Sequence, residues 1–168
     1  DDDLLYEIPV HDKIAKLIFN FHKTSIKRSL ILFGGTGTGK TQIVKYILEE
    51  FKKEYSLNYN YINCANNRTS YKIAKTLINT NKRICVEDIP TLLEKKWNNK
   101  KMVLILDEIE LLQDDDLLYN LTRNAKLNCI MIMITNRPNF YHKLLSDSVK
   151  SSLNHDFMYI PNYDALQI

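Results

Sequence analysis

Eight consecutive residues, Gly34-Gly35-Thr36-Gly37-Thr38-Gly39-Lys40-Thr41, carry glycines, a lysine and a hydroxyl at the spacing G-x-x-x-x-G-K-[ST]. Each part answers a need of a bound polyphosphate. Glycines let the backbone curl until its N–H groups point inward at phosphate oxygens. A helix begun at Lys40 adds the positive end of its dipole. The Lys40 ammonium reaches the β- and γ-phosphates, and the Thr41 hydroxyl ligates magnesium. The pattern therefore implies a nucleoside triphosphate bound with magnesium.

A second acidic site narrows the chemistry. Met102-Val103-Leu104-Ile105-Leu106 is an apolar run that delivers Asp107 and Glu108 together at its end. Ligands of open α/β sheets bind at that edge of the strands. Asp107 is placed to hold magnesium, usually through water. Glu108 is placed to take the proton from an attacking water as general base. Another apolar run, Cys129–Ile134, leads into Thr135-Asn136-Arg137-Pro138. There Asn136 either orients the attacking water beside the γ-phosphate or forms a turn with Pro138.

These residues need a scaffold, and the hydropathy pattern supplies one. Ile14, Leu17, Ile18 and Phe21 recur at helical spacing, as do Ile43, Ile47, Leu48 and Phe51. Ser29–Phe33 reads as a buried strand, and Asn58–Asn63 alternates as a half-exposed one. Helices are predicted over Ser70–Asn79 and Ile89–Trp97, the second with Asp88 as N-cap and Pro90 in its first turn. A helical stretch around Leu117–Asn124 follows the acidic run Asp114–Asp116, which suits a helix start. Phe157–Ile160 reads as a fifth strand. Strands separated by helix-sized segments predict a three-layer α/β/α sandwich with a five-stranded parallel sheet. A whole strand separates the glycine loop's strand from the Asp-Glu strand, and a glutamate follows the aspartate. Both features favour ATP hydrolysis over Ras-type GTPases and small-molecule kinases, and no N-K-x-D signature stands in the right place.

Composition excludes little else. The chain has 168 residues, enough for one well-cored domain. Lys and Arg number 23 against 20 Asp and Glu, and a net charge of +3 neither demands nor excludes nucleic acid. The three cysteines, Cys64, Cys85 and Cys129, read as buried reduced thiols, which implies an intracellular compartment. No apolar run approaches the ~20 residues of a membrane span. The chain opens on Asp1 rather than Met, as a fragment or trimmed product does.

Several segments in order resemble the Orc1/Cdc6 replication-initiator group of AAA+ ATPases, in its archaeal form. They are Ile8-Pro9-Val10-His11, Tyr61-Ile62-Asn63-Cys64, Leu106–Leu112, Leu117–Arg123, Val149–Leu153 and the closing Tyr159–Ala165. The resemblance implies an ATP-dependent origin-binding or helicase-loading switch, with ATP or ADP and magnesium as its ligands. DNA and other initiator or helicase subunits are the implied partners, in a homo- or hetero-oligomer. It also implies an adenine pocket around Pro9 and Val10, with Tyr163 near the hinge or packed as a core aromatic. Two departures qualify the transfer. Ser148 stands where the family carries an arginine finger, worth ~10³ or more in rate, with Lys143 and Lys150 nearby. Ile168 is also where the family's helical lid, then its winged-helix DNA-binding domain, is expected to begin, so the chain reads as the base domain alone. Arg123, Lys126 and Arg137 are either DNA-phosphate contacts or ordinary surface charges. The rival functions are a mobile-element or viral AAA+ helper and a scaffold that uses nucleotide only to hold its shape.

Overall fold

The computed structural model describes residues 9–35 and 39–161. Thr36, Gly37 and Thr38 of the glycine loop, and Tyr163, lie outside the described residues. In chain order the elements are α1 (Val10–Thr24), β1 (Ser29–Phe33), α2 (Lys40–Tyr55), β2 (Asn58–Asn63), α3 (Ser70–Ile78), α4 (Ile89–Trp97), β3 (Met102–Asp107), α5 (Asp116–Arg123), β4 (Cys129–Thr135), α6 (Phe140–Lys143), α7 (Asp147–Ser152) and β5 (His155–Tyr159). One-turn 3₁₀ helices cover Val86–Asp88 and Ile109–Leu111.

The five strands form one sheet, ordered β2-β3-β4-β1-β5, and every pairing in it is parallel. Parallel strands bury both faces, and alternate side chains of each strand feed two separate cores. Leu30, Leu32, Val103, Ile105, Ile130 and Ile132 meet α1 and α2 on one face. Ile31, Leu104, Leu106, Met131 and Met133 meet α3, α4 and α5 on the other. Each helix turns a matching stripe inward. In α1 it is Ile14, Ile18 and Phe21, and in α2 it is Val44, Ile47 and Leu48. The expected three-layer sandwich is thus the observed one.

Register aligns the strand ends. Asn63 pairs with Asp107, and Phe33 pairs with both Thr135 and Tyr159. The C-terminal ends of all five strands therefore meet at one edge, and α2 begins there. The order also places β4 between β1 and β3, so the residues after β4 stand between the glycine loop and the Asp-Glu pair.

Three local expectations need correction. The fifth strand begins two residues before Phe157, because Ser29 pairs with His155 and the Ser29 N–H donates to Asn154 O at 2.8 Å. His155 and Asp156 are polar and lie on an edge strand, so hydropathy does not mark them. Cys85 is exposed, unlike Cys64 and Cys129. Its backbone is extended (φ −76°, ψ 138°), so its side chain and that of Ile84, which packs on the core, leave the chain on opposite sides. Asp88 precedes α4 but already has helical dihedrals within the turn Val86–Asp88, and its side chain makes no capping bond. The acidic run does start a helix: the Asp114 carboxylate accepts from the N–H groups of Ser70 and Asp116. Among the described residues no helix is long and apolar enough to cross a membrane.

The edge strand β5 is clamped to the residue before β1. Arg28 Nε donates to Asp156 Oδ2 at 2.6 Å, its second nitrogen reaches Asp156 Oδ1, and a third donates to Asn154 Oδ1 at 2.8 Å. Hydrogen bonding from Arg28 holds the Asp156 carboxyl below the ordinary carboxylate range. A lowered carboxyl stabilises the fold above its unfolded pKa near 4, and that contribution disappears as pH falls through the folded value. The pair is half-exposed, so Asp156→Asn is expected to cost less than about 1 kcal/mol at pH 7 in urea unfolding. The gap between the two proteins should close under acid. A gap that widened on acidification would contradict this role for the clamp.

Candidate functional site

The glycine loop leaves β1 at Gly34 and ends at Gly39, whose φ of +77° is a conformation that side-chain-bearing residues rarely adopt. Gly39 O then accepts from Ile43 N at 3.1 Å, and α2 is under way with Lys40 and Thr41 in its first turn. Lys40 is 7% exposed. Its ammonium donates to Gly34 O at 3.0 Å, Gly35 O at 2.9 Å and Asn136 Oδ1 at 2.7 Å. Burial lowers its pKa from the ordinary lysine value, against the opposing pull of Asp107 and Glu110.

Asp107 closes β3 at 9% exposure. Its Oδ2 accepts the Thr41 hydroxyl at 2.8 Å and the Tyr61 hydroxyl at 2.6 Å, while its Oδ1 accepts the Glu108 N–H at 2.9 Å. The chain then turns sharply, and Glu108 takes a left-handed conformation (φ 51°, ψ 46°) with its carbonyl accepting from Leu111 N. Non-glycine residues held there cluster at functional sites, where the surrounding structure maintains the strain.

Lys40, Thr41, Asp107, Glu108 and Asn136, each singled out by sequence, thus line one cleft of about 320 Å³ with Gly39. The Asn136 side chain meets the Lys40 ammonium in this cleft. The same cleft holds residues that sequence reading passed over. Glu110 is a third carboxylate, and its Oε2 lies 2.7 Å from the Thr135 hydroxyl. Thr135 Oγ1 also accepts from Arg137 N at 2.9 Å, which ties the turn after β3 to the turn after β4. Asn63, Gln42 and Ile134 complete the lining. The signal for Glu110 is its position two residues after Glu108 on a strand-to-turn segment. Tyr61 belongs to a segment that carries the family resemblance but gives no chemical signal, because it reads as one more aromatic of a strand.

The remaining candidates lie elsewhere. Pro9 is exposed and caps α1, and Val10 lines a second cleft with Leu17, Phe157 and Tyr159. Ser148 sits in α7, and its carbonyl accepts from Arg123 Nη2 at 3.2 Å. The Arg123 guanidinium also lies over the Tyr119 ring, with 4.9 Å to the centroid.

This geometry, a glycine loop opening a helix beside an Asp-Glu strand end and a polar residue on the strand between them, agrees with the family model for an AAA domain, which matches residues 23–144. The chain belongs to the AAA family. Its relatives are of the Orc1/Cdc6 group. An ORC1-type DNA replication protein of Thermococcus kodakarensis is 30% identical over 94% of this chain and 43% of its own length. The Aeropyrum pernix Orc1 protein solved in complex with DNA superposes with a TM-score of 0.74 at 25% identity, over 90% of this chain and 44% of that one. Cdc6p from Pyrobaculum aerophilum shares the fold, with a TM-score of 0.73 at 18% identity over 92% of this chain and 46% of its own. The chain spans less than half the length of these relatives.

Left-handed backbone at a glutamate costs on the order of 1 kcal/mol that glycine does not incur, partly offset by glycine's freer unfolded chain. Glu108→Gly is therefore expected to unfold at the same urea concentration as the parent protein or a slightly higher one. A marked loss of stability would show that the Glu108 side chain contributes to folding.

Proposed function

We propose that this chain is the ATP-binding and ATP-hydrolysing domain of an Orc1/Cdc6-like replication initiator or helicase loader, acting as an ATP-dependent switch on DNA. The observation that carries the reading is the convergence of Lys40, Thr41, Asp107, Glu108 and Asn136 in one cleft at the strand edge. A structural lysine has little reason to be buried among backbone carbonyls of a glycine loop, where burial works against its charge.

Within this reading the backbone of Gly34–Gly39 and the α2 dipole bind the phosphates, and Lys40 exchanges its loop carbonyls for phosphate oxygens. The donor set fits magnesium: a hydroxyl and a carboxylate, both hard oxygens, already stand 2.8 Å apart on Thr41 and Asp107. The ion supplies charge neutralisation on the triphosphate. Glu108 accepts the proton of the attacking water as the bond from that oxygen to the γ-phosphorus forms and the bridge to ADP breaks. Asn136 orients that water, and Lys40 holds the Asn136 side chain at the point of attack. Pro9 and Val10 stand at the start of α1, on the same edge, and the apolar surface of Val10, Leu17 and Tyr159 offers a purine a place to pack. The DNA partner rests on the similar Orc1 protein, which was solved on DNA; initiator or helicase subunits are proposed from the family resemblance alone. Ser148 stands in α7 where the resemblance implies an arginine contributed to a neighbour's site, so this chain is read as a weak activator of its neighbour. Its own fast turnover is assigned to an arginine supplied by another subunit.

Lys40→Ala and Glu108→Gln separate binding from hydrolysis. The first is expected to lose ATP binding in a fluorescence titration. The second should keep it and lose at least about a hundredfold in phosphate release, the scale of a general base. Parent-rate turnover by Glu108→Gln would reject the assigned base, and unchanged binding by Lys40→Ala would reject the site.

A further inference from the structure

We infer that Tyr61 is a positioning residue for Asp107: its hydroxyl sets the orientation in which that carboxylate receives Thr41 and magnesium. The inference rests on the reading of Asp107 as the magnesium carboxylate and goes beyond it, since nothing in the motif names Tyr61.

Register makes the contact possible. Asn63 lies opposite Asp107, so Tyr61 lies opposite Ile105, one pleat back along β2 on the face covered by α2. Only a side chain as long as a phenol spans that step, and its oxygen arrives 2.6 Å from Asp107 Oδ2. Two hydroxyl protons then converge on one carboxylate oxygen, while the Glu108 N–H engages the other. A carboxylate is free to turn about its last torsion unless its oxygens are held. Here both are held, from three different elements. Bonds to a charged acceptor are the stronger kind.

The ring is held as well. Lys45 Nζ stands 3.8 Å from the Tyr61 ring centroid, one helical turn after Thr41 on α2. One face of α2 therefore grips both ends of the Tyr61–Asp107 pair. Tyr59 provides the contrast: it occupies the same face of β2, and its hydroxyl bonds Glu49, away from the cleft.

The test is a titration of Mg²⁺ into protein holding a fluorescent ADP, compared with the same affinity measured in EDTA. Tyr61→Phe keeps the ring and removes only the hydroxyl. It is expected to leave the EDTA affinity unchanged and to raise the Mg²⁺ concentration at half effect by roughly tenfold, as loss of a partner to a metal ligand does. Tyr59→Phe should move neither quantity. In an Asp107→Asn background, Tyr61→Phe should add nothing further. An unchanged Mg²⁺ midpoint in Tyr61→Phe would overturn the inference. So would equal losses with and without Mg²⁺, which would mark Tyr61 as general packing. A parent protein whose nucleotide affinity ignored Mg²⁺ would instead overturn the magnesium reading of Asp107, and the inference with it.

Discussion

The hydrogen bond from Thr41 to Asp107 joins two segments that are 66 residues apart in sequence. One end belongs to the first turn of the helix after the glycine loop, the other to the last residue of the interior strand β3. The backbones of both ends are seated on one largely apolar core. Val44, Ile47 and Leu48 seat α2 on Val103 and Ile105, and those residues belong to the strand that ends at Asp107. A core of this kind tolerates little displacement, because close-packed side chains have few alternative arrangements. Two buried apolar faces thus hold a hydroxyl and a carboxylate within bonding distance.

The edge of a parallel sheet is where such groups must gather. Both faces of this sheet are closed by helices, so polar chemistry is confined to the strand ends and the turns after them. Here that edge concentrates Asp107, Glu108 and Glu110 around the buried ammonium of Lys40. Burial works against the charge on Lys40, and Asp107 and Glu110 work for it. Strain is stored at the same place, in the left-handed backbone of Glu108. Elsewhere in the fold, left-handed residues such as Ser25, Ser56, Asn79 and Asn98 end helices, where that conformation is ordinary. Among the described non-glycine residues, only Glu108 holds it in the lining of the cleft.

Much of this was legible from residue types alone, for physical reasons that differ by element. The glycine loop is legible because its backbone curl, its lysine and its hydroxyl are each needed at one spacing. The central strands β3 and β4 are legible because they are buried on both faces and read as unbroken apolar runs. The start of β5 was less so, since His155 and Asp156 are held by pairing to β1 and by Arg28, not by hydropathy. The exposed thiol of Cys85 was hidden by its neighbour Ile84, because adjacent residues of an extended segment face opposite ways.

The sequence by itself determined the chemical groups, the alternation of strands and helices, and the sheet edge to which the groups belong. These follow from local rules: turn geometry, hydrophobic period and the placement of polar residues at strand ends. Only the tertiary structure decided which groups meet. The order β2-β3-β4-β1-β5 slides β4 between the loop strand and the Asp-Glu strand, and so brings Asn136 to Lys40 and Thr135 to Glu110. Register between β2 and β3 brings a tyrosine hydroxyl to Asp107. Pairing of this kind depends on how whole strands dock over long separations, and no pattern within a single segment records it.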